Sequence, residues 1–282
     1  MKITALVENT RLEGRNDLTA EKGLSLYIQS GEHKILFDSG ISAAFGRNAG
    51  QLGIDIREAD LMVLSHHHFD HGGGLAHFLK RNPKAQVYLR GIKGGDYYLR
   101  LFGIINKYVG LDKSLFEMYP GRFEFIDKFT EIAPGVFILS DIGKRHPRPK
   151  GNRMLLVKEG KSWRPDPFEH ELILAIQEKE GLTVFTGCSH GGILNMVETV
   201  SKQFQGIPIR AVIGGFHQMS LPMLNTMAGS KVEVEDIGQT MLSYSIEKVY
   251  TCHCTGLKAY RILKQVMGEK LGYLSTGSSI EV

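Results

Sequence analysis

Ser65-His66-His67-His68-Phe69-Asp70-His71-Gly72 places metal-ligand side chains in an H-x-H-x-D-H arrangement. Imidazole suits zinc, iron, copper and nickel, and a carboxylate among imidazoles is a donor mixture typical of catalytic rather than structural sites. His66 and His68, two residues apart, can converge on one ion while His67 points away. Asp70 and His71 then face a second position beside the first. A metal held there lowers the pKa of bound water from ~16 toward ~7, supplying hydroxide, and polarises a carbonyl or phosphoryl oxygen of the substrate. Asp70 is the candidate catalytic group, orienting that water or taking its proton.

The second half of the chain offers more donors. Thr186-Gly187-Cys188-Ser189-His190-Gly191-Gly192 and Tyr250-Thr251-Cys252-His253-Cys254-Thr255-Gly256 each follow an apolar run. His190 and His253 are candidate ligands. On an extended backbone Cys252 and Cys254 face one side and His253 the other. The three cysteines are candidate soft ligands or redox groups, although buried strand thiols are more often structural. His217, in Gly214-Gly215-Phe216-His217, is a candidate donor to an anionic substrate. Asp38 reads as a carboxylate orienting a ligand histidine through its other ring nitrogen.

Elements that position such residues are legible as apolar runs between glycine stops. Strands are expected at Ile3–Val7, Leu24–Ile28, Lys34–Phe37, Leu61–Leu64, Gln86–Leu89, Gly135–Leu139, Leu172–Ile176, Leu182–Thr186, Ile209–Ile213, Val249–Cys252 and Ser279–Val282. Helices are expected at Gly74–Lys80, Gly192–Phe204, Glu233–Ser245 and Thr255–Met267. Two runs of strands followed by helices imply an α/β protein with two helix-covered sheets. No linker divides residues 1–282, so one domain is expected, with a lid-like insertion around 92–165.

The metal run after a strand, with Asp38-Ser39-Gly40 closing the strand before it, resembles the metallo-β-lactamase superfamily. The Thr-Gly-Cys-Ser-His-Gly, Gly-Gly-Phe-His and Cys-His-Cys-Thr-Gly elements are similar to the branch of metal-dependent hydrolases related to dihydropterin ribofuranosylaminobenzene-phosphate synthase. The resemblance implies an αββα sandwich of two mixed sheets flanked by helices. It also implies two divalent metal ions, zinc by default with iron or manganese as alternatives, held by His66, His68, Asp70, His71, His190 and His253. Many relatives have a bridging Asp where this chain has Cys188, and take a further His from an earlier strand, where His170 and Glu171 stand. Which of His170, Glu171 and Cys188 completes the site is left open.

The 282 residues carry a net charge of +4, too mild for a nucleic-acid-binding surface. Three cysteines make no disulfide framework and point to a reducing cytoplasm. No apolar run nears the ~20 residues of a membrane span, and the first residues read as a strand rather than a signal peptide. The expected partner is a small anionic or phosphorylated metabolite, with self-association left open. Five cations in Lys144–Arg153 are candidates to bind phosphate. Tyr97, Tyr98, Leu101, Phe102 and Tyr108 form a stripe that could line a pocket, a dimer contact or the core. The leading expectation is a hydrolase; the alternatives are a synthase-like transferase of the same branch and a non-catalytic metal or redox sensor.

Overall fold

The computed structural model describes residues 1–91, 95–220 and 226–282, so the start of the expected insertion, 92–94, lies outside the described residues. The chain forms two compact units: Met1–Ile126 with Met154–His170 and Leu274–Glu281, and Asp127–Arg153 with Glu171–Tyr273 and Val282.

In the first unit a seven-stranded sheet runs, edge to edge, Ser279–Glu281, Lys2–Val7, Ser25–Ser30, His33–Phe37, Leu61–Val63, Gln86–Arg90 and Phe123–Ile126. Pairing is antiparallel as far as His33–Phe37 and parallel from there on. The inner parallel strand Leu61–Val63 is a continuous apolar run, as a strand covered on both faces must be, whereas the edge strand Phe123–Ile126 exposes Glu124 and Phe125. Helix Leu75–Arg81 packs Leu75, Phe78 and Leu79, one helical stripe, into the core with Leu36, Met62 and Val87.

Helix Ala44–Gln51 has no counterpart among the expected elements, because AFGRNAGQ is rich in weak helix formers. Tertiary contacts hold it instead. Ala44, Phe45, Asn48 and Ala49 are buried, and Asn48 Nδ2 donates to Leu6 O (2.7 Å) and Thr19 O (2.8 Å).

The sequence between 95 and 165 supplies a four-stranded antiparallel sheet, Ser162–Pro165, Leu155–Glu159, Asp96–Leu101 and Ile105–Tyr108, over a small core of Tyr97, Val109, Leu155, Val157 and Phe168. Strand alternation divides the aromatic stripe: Tyr97 is buried, Tyr98 meets Tyr108 edge-on and Trp163 at a tilt, and Phe102 is 82% exposed.

In the second unit the sheet order is Leu271–Tyr273, Ile246–Thr251, Ile209–Gly214, Gly181–Thr186, Ile173–Glu178, Val136–Leu139 and Thr130–Ala133. The first four strands are parallel and the rest antiparallel. Helices Ile193–Gln203, Lys231–Ser243 and Gly256–Met267 bury Val197, Val200, Val234, Met241, Ala259 and Leu263 against it. Lys231–Ser243 begins earlier than expected because Ser230 and Glu233 close a capping box: Glu233 N donates to Ser230 Oγ (3.2 Å), and Ser230 N to the Glu233 carboxylate (2.8 Å). Both units are thus α/β, with mixed sheets flanked by helices. No helix of the described residues is long and apolar enough to cross a membrane.

Glycines that follow the metal run allow close packing. A Cβ on Gly74 would lie 2.3 Å from Ser39 O, whereas one on Gly50, near the end of its helix, would meet nothing within 4 Å. Gly74→Ala is expected to cost about 1–3 kcal/mol by overpacking, and Gly50→Ala to gain about 0.5–1 kcal/mol by removing chain entropy. Urea unfolding midpoints should move in opposite directions.

Candidate metal centre

The donor loops leave the carboxyl ends of neighbouring parallel strands, the usual place for ligands in open α/β sheets. In the first unit His33–Phe37 ends on Asp38, Leu61–Val63 leads into Ser65-His66-His67-His68, and Gln86–Arg90 ends beside them. Asp38 is fully buried, so its carboxylate needs hydrogen bonds. It accepts from Ser65 N (2.8 Å), Ser65 Oγ (2.8 Å) and His71 Nδ1 (2.6 Å).

Proton bookkeeping then sets the tautomers. A carboxylate only accepts, so His71 Nδ1 carries a proton and Nε2 the lone pair. Ser65 gives its one hydroxyl hydrogen to Asp38, so its oxygen accepts from His66 Nδ1 (2.9 Å), and His66 Nε2 also carries a lone pair. The His66 ring lies 4.7 Å from that of His68 and 4.1 Å from that of His71. All three are buried.

His67 turns away. Its Nε2 donates to Arg90 O (2.9 Å) and its backbone N to His170 Nδ1 (3.0 Å), with the two rings stacked. His170 Nε2 in turn donates to Asp166 Oδ2 (3.0 Å). The ligand-type atoms of His68, Asp166 and His170 lie within 4.8 Å of one another, but both His170 nitrogens are committed to hydrogen bonds, so His170 anchors the metal loop rather than offering a lone pair. Burial and the field of His170 push His68 down to about 3 and His67 well below the usual imidazole range. Burial opposes ionisation of Asp166, but its hydrogen bond with His170 and the fields of His170 and His68 bring it below the usual carboxylate range. Asp70 lies in the first turn of helix Phe69–Gly72 and contributes to the field at His68.

In the second unit Gly181–Thr186 leads to Cys188 and His190, Ile209–Gly214 to His217, and Ile246–Thr251 to His253 and Cys254. His190 Nδ1 donates to Asn152 Oδ1 (2.9 Å), while Asn152 Nδ2 donates to His190 O (2.9 Å), so His190 Nε2 carries the lone pair. The Glu171 carboxylate accepts the N–H groups of His190 and Gly191, both at 2.7 Å. It is therefore engaged in holding the loop that carries His190.

Cys188, His190 and His217 bring ligand atoms within 4.8 Å of one another, and so do Cys188, His253 and Cys254. The latter grouping departs from the expected alternation that put Cys254 opposite His253. The backbone is not extended there: His253 has φ 51° and His253–Thr255 forms a single 3₁₀ turn, which brings both side chains to one cluster. Burial raises the Cys254 thiol, but hydrogen bonding with Cys188 and His217 and the fields of His253 and His217 hold it well below its usual range.

Backbone strain gathers at these loops. Asp38, Ser189, His217 and His253 adopt positive φ without being glycine, a conformation that persists where surrounding structure enforces it.

Asn152 and Asp166 escaped the sequence reading. Asn152 sits among cations that drew attention to charge, and Asp166 is signalled only by its i, i+4 spacing to His170. Two of the five cations of the basic segment, Arg145 and Lys150, are tied to carboxylates. Arg145 pairs with Glu198 (3.0 Å), His146 with Glu198 (3.4 Å) and Lys150 with Glu233. Arg148 lines a cavity of about 290 Å³ with Pro147, Ile193, Phe216, Gln218 and Ile237.

Residues 18–202 match the family model of the metallo-beta-lactamase superfamily. The chain is 30% identical over 277 residues to 7,8-dihydropterin-6-methyl-4-(beta-D-ribofuranosyl)-aminobenzene-5'-phosphate synthase of Methanocaldococcus jannaschii, covering 93% of this chain and 90% of the relative. It is 32% identical to the solved structure of Tm1679, described as a metal-dependent hydrolase of the beta-lactamase superfamily, with a TM-score of 0.83 and coverage of 100% and 99%. Zinc-bound PqqB of Methylobacterium extorquens shares the fold at 11% identity, with a TM-score of 0.60 and full coverage of both chains.

Two outcomes follow from this geometry. Asp38→Asn and Asn152→Ala should each weaken affinity for an added divalent metal ion about 10–100-fold while leaving the chain folded, because they release the tautomers of His71 and His190; isothermal titration reads the loss. In metal-free protein the unfolded chain takes up a proton near pH 6.5 that folded His68 refuses until about pH 3. The unfolded state then binds more protons, so stability falls as pH drops through that window. His68→Asn should flatten the slope of denaturant midpoint against pH.

Proposed function

Because the chain belongs to the metallo-beta-lactamase superfamily, we propose that it is a metal-dependent hydrolase acting on a small anionic metabolite. The observation that carries this reading is the shared tautomer of His66, His71 and His190, each donating from Nδ1 to a fixed oxygen and presenting Nε2 with its lone pair. The proposed ligands for two divalent ions are His66, His68, Asp70, His71, His190 and His253. A bound ion would polarise a carbonyl or phosphoryl oxygen and acidify a water.

The protein's own groups do the rest. Asp38 and Asn152 fix the tautomers of His71 and His190 and aim their rings. Asp70 accepts the proton of the attacking water. Arg148, at the cavity wall, offers a guanidinium fork to an anionic group of the substrate. Apolar neighbours Phe216, Ile193 and Ile237 suit a substrate with an aromatic or aliphatic body.

The synthase relative, at 30% identity over nearly the whole chain, favours a second reading. In it the same ligand set serves a transferase, with a second substrate in the place of water.

Metal content per chain, measured by elemental mass spectrometry, tests the ligands. Two ions are expected, with loss in His68→Ala and His253→Ala and retention in His67→Ala; equal retention in all three would overturn the assignment. Turnover of phosphomonoester, phosphodiester and carboxylic ester panels that stops on chelation supports the hydrolase. Coupling of a dihydropterin to a ribofuranosylaminobenzene phosphate without hydrolysis supports the transferase. Arg148→Ala is expected to raise KM for a phosphorylated substrate about tenfold with little change in kcat, the loss of a charge-assisted hydrogen bond worth about 1.5 kcal/mol.

A further inference from the structure

Cys188 and Cys254 are both buried and approach one another from the ends of different strands. With His253 they bring their ligand atoms within 4.8 Å. Cys188 also shares a group with His217, whose buried Nδ1 has no hydrogen-bond partner among the described residues. The fold makes room for this sulfur cluster. A Cβ on Gly215 would sit 2.4 Å from Cys254 Sγ, so the second glycine of Gly214-Gly215 is the residue that lets the thiol in. Cys254 Sγ donates to Cys188 O (3.4 Å), a weak bond that a thiol gives up readily on losing its proton.

We infer that the second unit carries a mixed thiolate–imidazole metal site in which Cys188 and Cys254 supply sulfur beside His253 and His217. Resting on the metal-dependent reading above, it gives the ion bound by His253 an S₂N₂ environment. Tetrahedral S₂N₂ donors select zinc, or cadmium in its place, over manganese and magnesium, which favour oxygen. Zinc–sulfur bonds near 2.3 Å and zinc–nitrogen bonds near 2.0 Å set ligand-to-ligand edges of roughly 3.3–3.8 Å, a span compatible with ligand atoms that lie within 4.8 Å of one another. Both thiols release their protons to the medium as they bind, with no change in oxidation state.

The test is cobalt substitution of the full chain, made metal-free and kept under reducing conditions. Thiolate–cobalt bonds give an intense charge-transfer band in the near ultraviolet that nitrogen and oxygen ligands do not. The band is expected in the wild type, lowered in Cys188→Ser and in Cys254→Ser, abolished in the double variant and unchanged in Cys252→Ser. X-ray absorption of zinc-loaded wild type guards against variants that fail to fold, and should find sulfur scatterers at about 2.3 Å. Bound metal with only nitrogen and oxygen scatterers overturns the sulfur site and leaves the metal-dependent reading standing. No bound metal overturns both.

Discussion

A buried carboxylate is tolerated only if its charge is met, and in the first unit that requirement fixes the ligand loop. Asp38 is fully buried at positive φ, and it takes three hydrogen bonds from two residues of the metal run, Ser65 and His71. An ion of this kind left unmatched would cost several kcal/mol. Folding the unit therefore draws the strand end at Asp38 and the turn at Ser65 into one arrangement, and the same bonds dictate which nitrogen of His66 and His71 is protonated. Structural satisfaction and chemical readiness come from one set of contacts.

The second unit reaches a similar end by other means. Asn152, an amide, takes the orienting place beside His190, and Glu171 clamps the backbone of the same loop. His170, the preceding residue, clamps the backbone at His67 in the first unit. These neighbours in sequence thus serve the two donor loops as supports, and both owe their position to hydrogen bonding rather than to a lone pair offered outward. The positive φ of Ser189, His217 and His253 fits this account, since such strain survives only where surrounding bonds over-determine it.

Part of the charge in the basic segment is spent locally. Arg145 and Lys150 meet carboxylates on helices Ile193–Gln203 and Lys231–Ser243. Exposed pairs of this sort contribute little to stability, but they fix the segment's course, which carries Asn152 to His190 and Arg148 to the cavity wall. A count of cations treats the segment as uniform; the structure separates Arg145 and Lys150, paired with carboxylates, from Arg148, which lines the cavity.

By itself the sequence established most strands and helices and the α/β class, and it nominated the candidate donor residues, because apolar periodicity, glycine stops and the H-x-H-x-D-H spacing are local signals. It missed helix Ala44–Gln51, whose burial outweighs its poor propensity. It also treated Cys252-His253-Cys254 as extended, since nothing local announces a positive φ at a histidine. Tertiary structure alone decided the distant partners: Asp38 with His71, Asn152 with His190, Cys254 near Cys188. Those pairs lie 33, 38 and 66 residues apart. Ligand identity is a property of residue type and spacing. Orientation of the candidate ligands is a property of hydrogen bonds between segments that follow the strand ends, and these exist only once the sheets have formed.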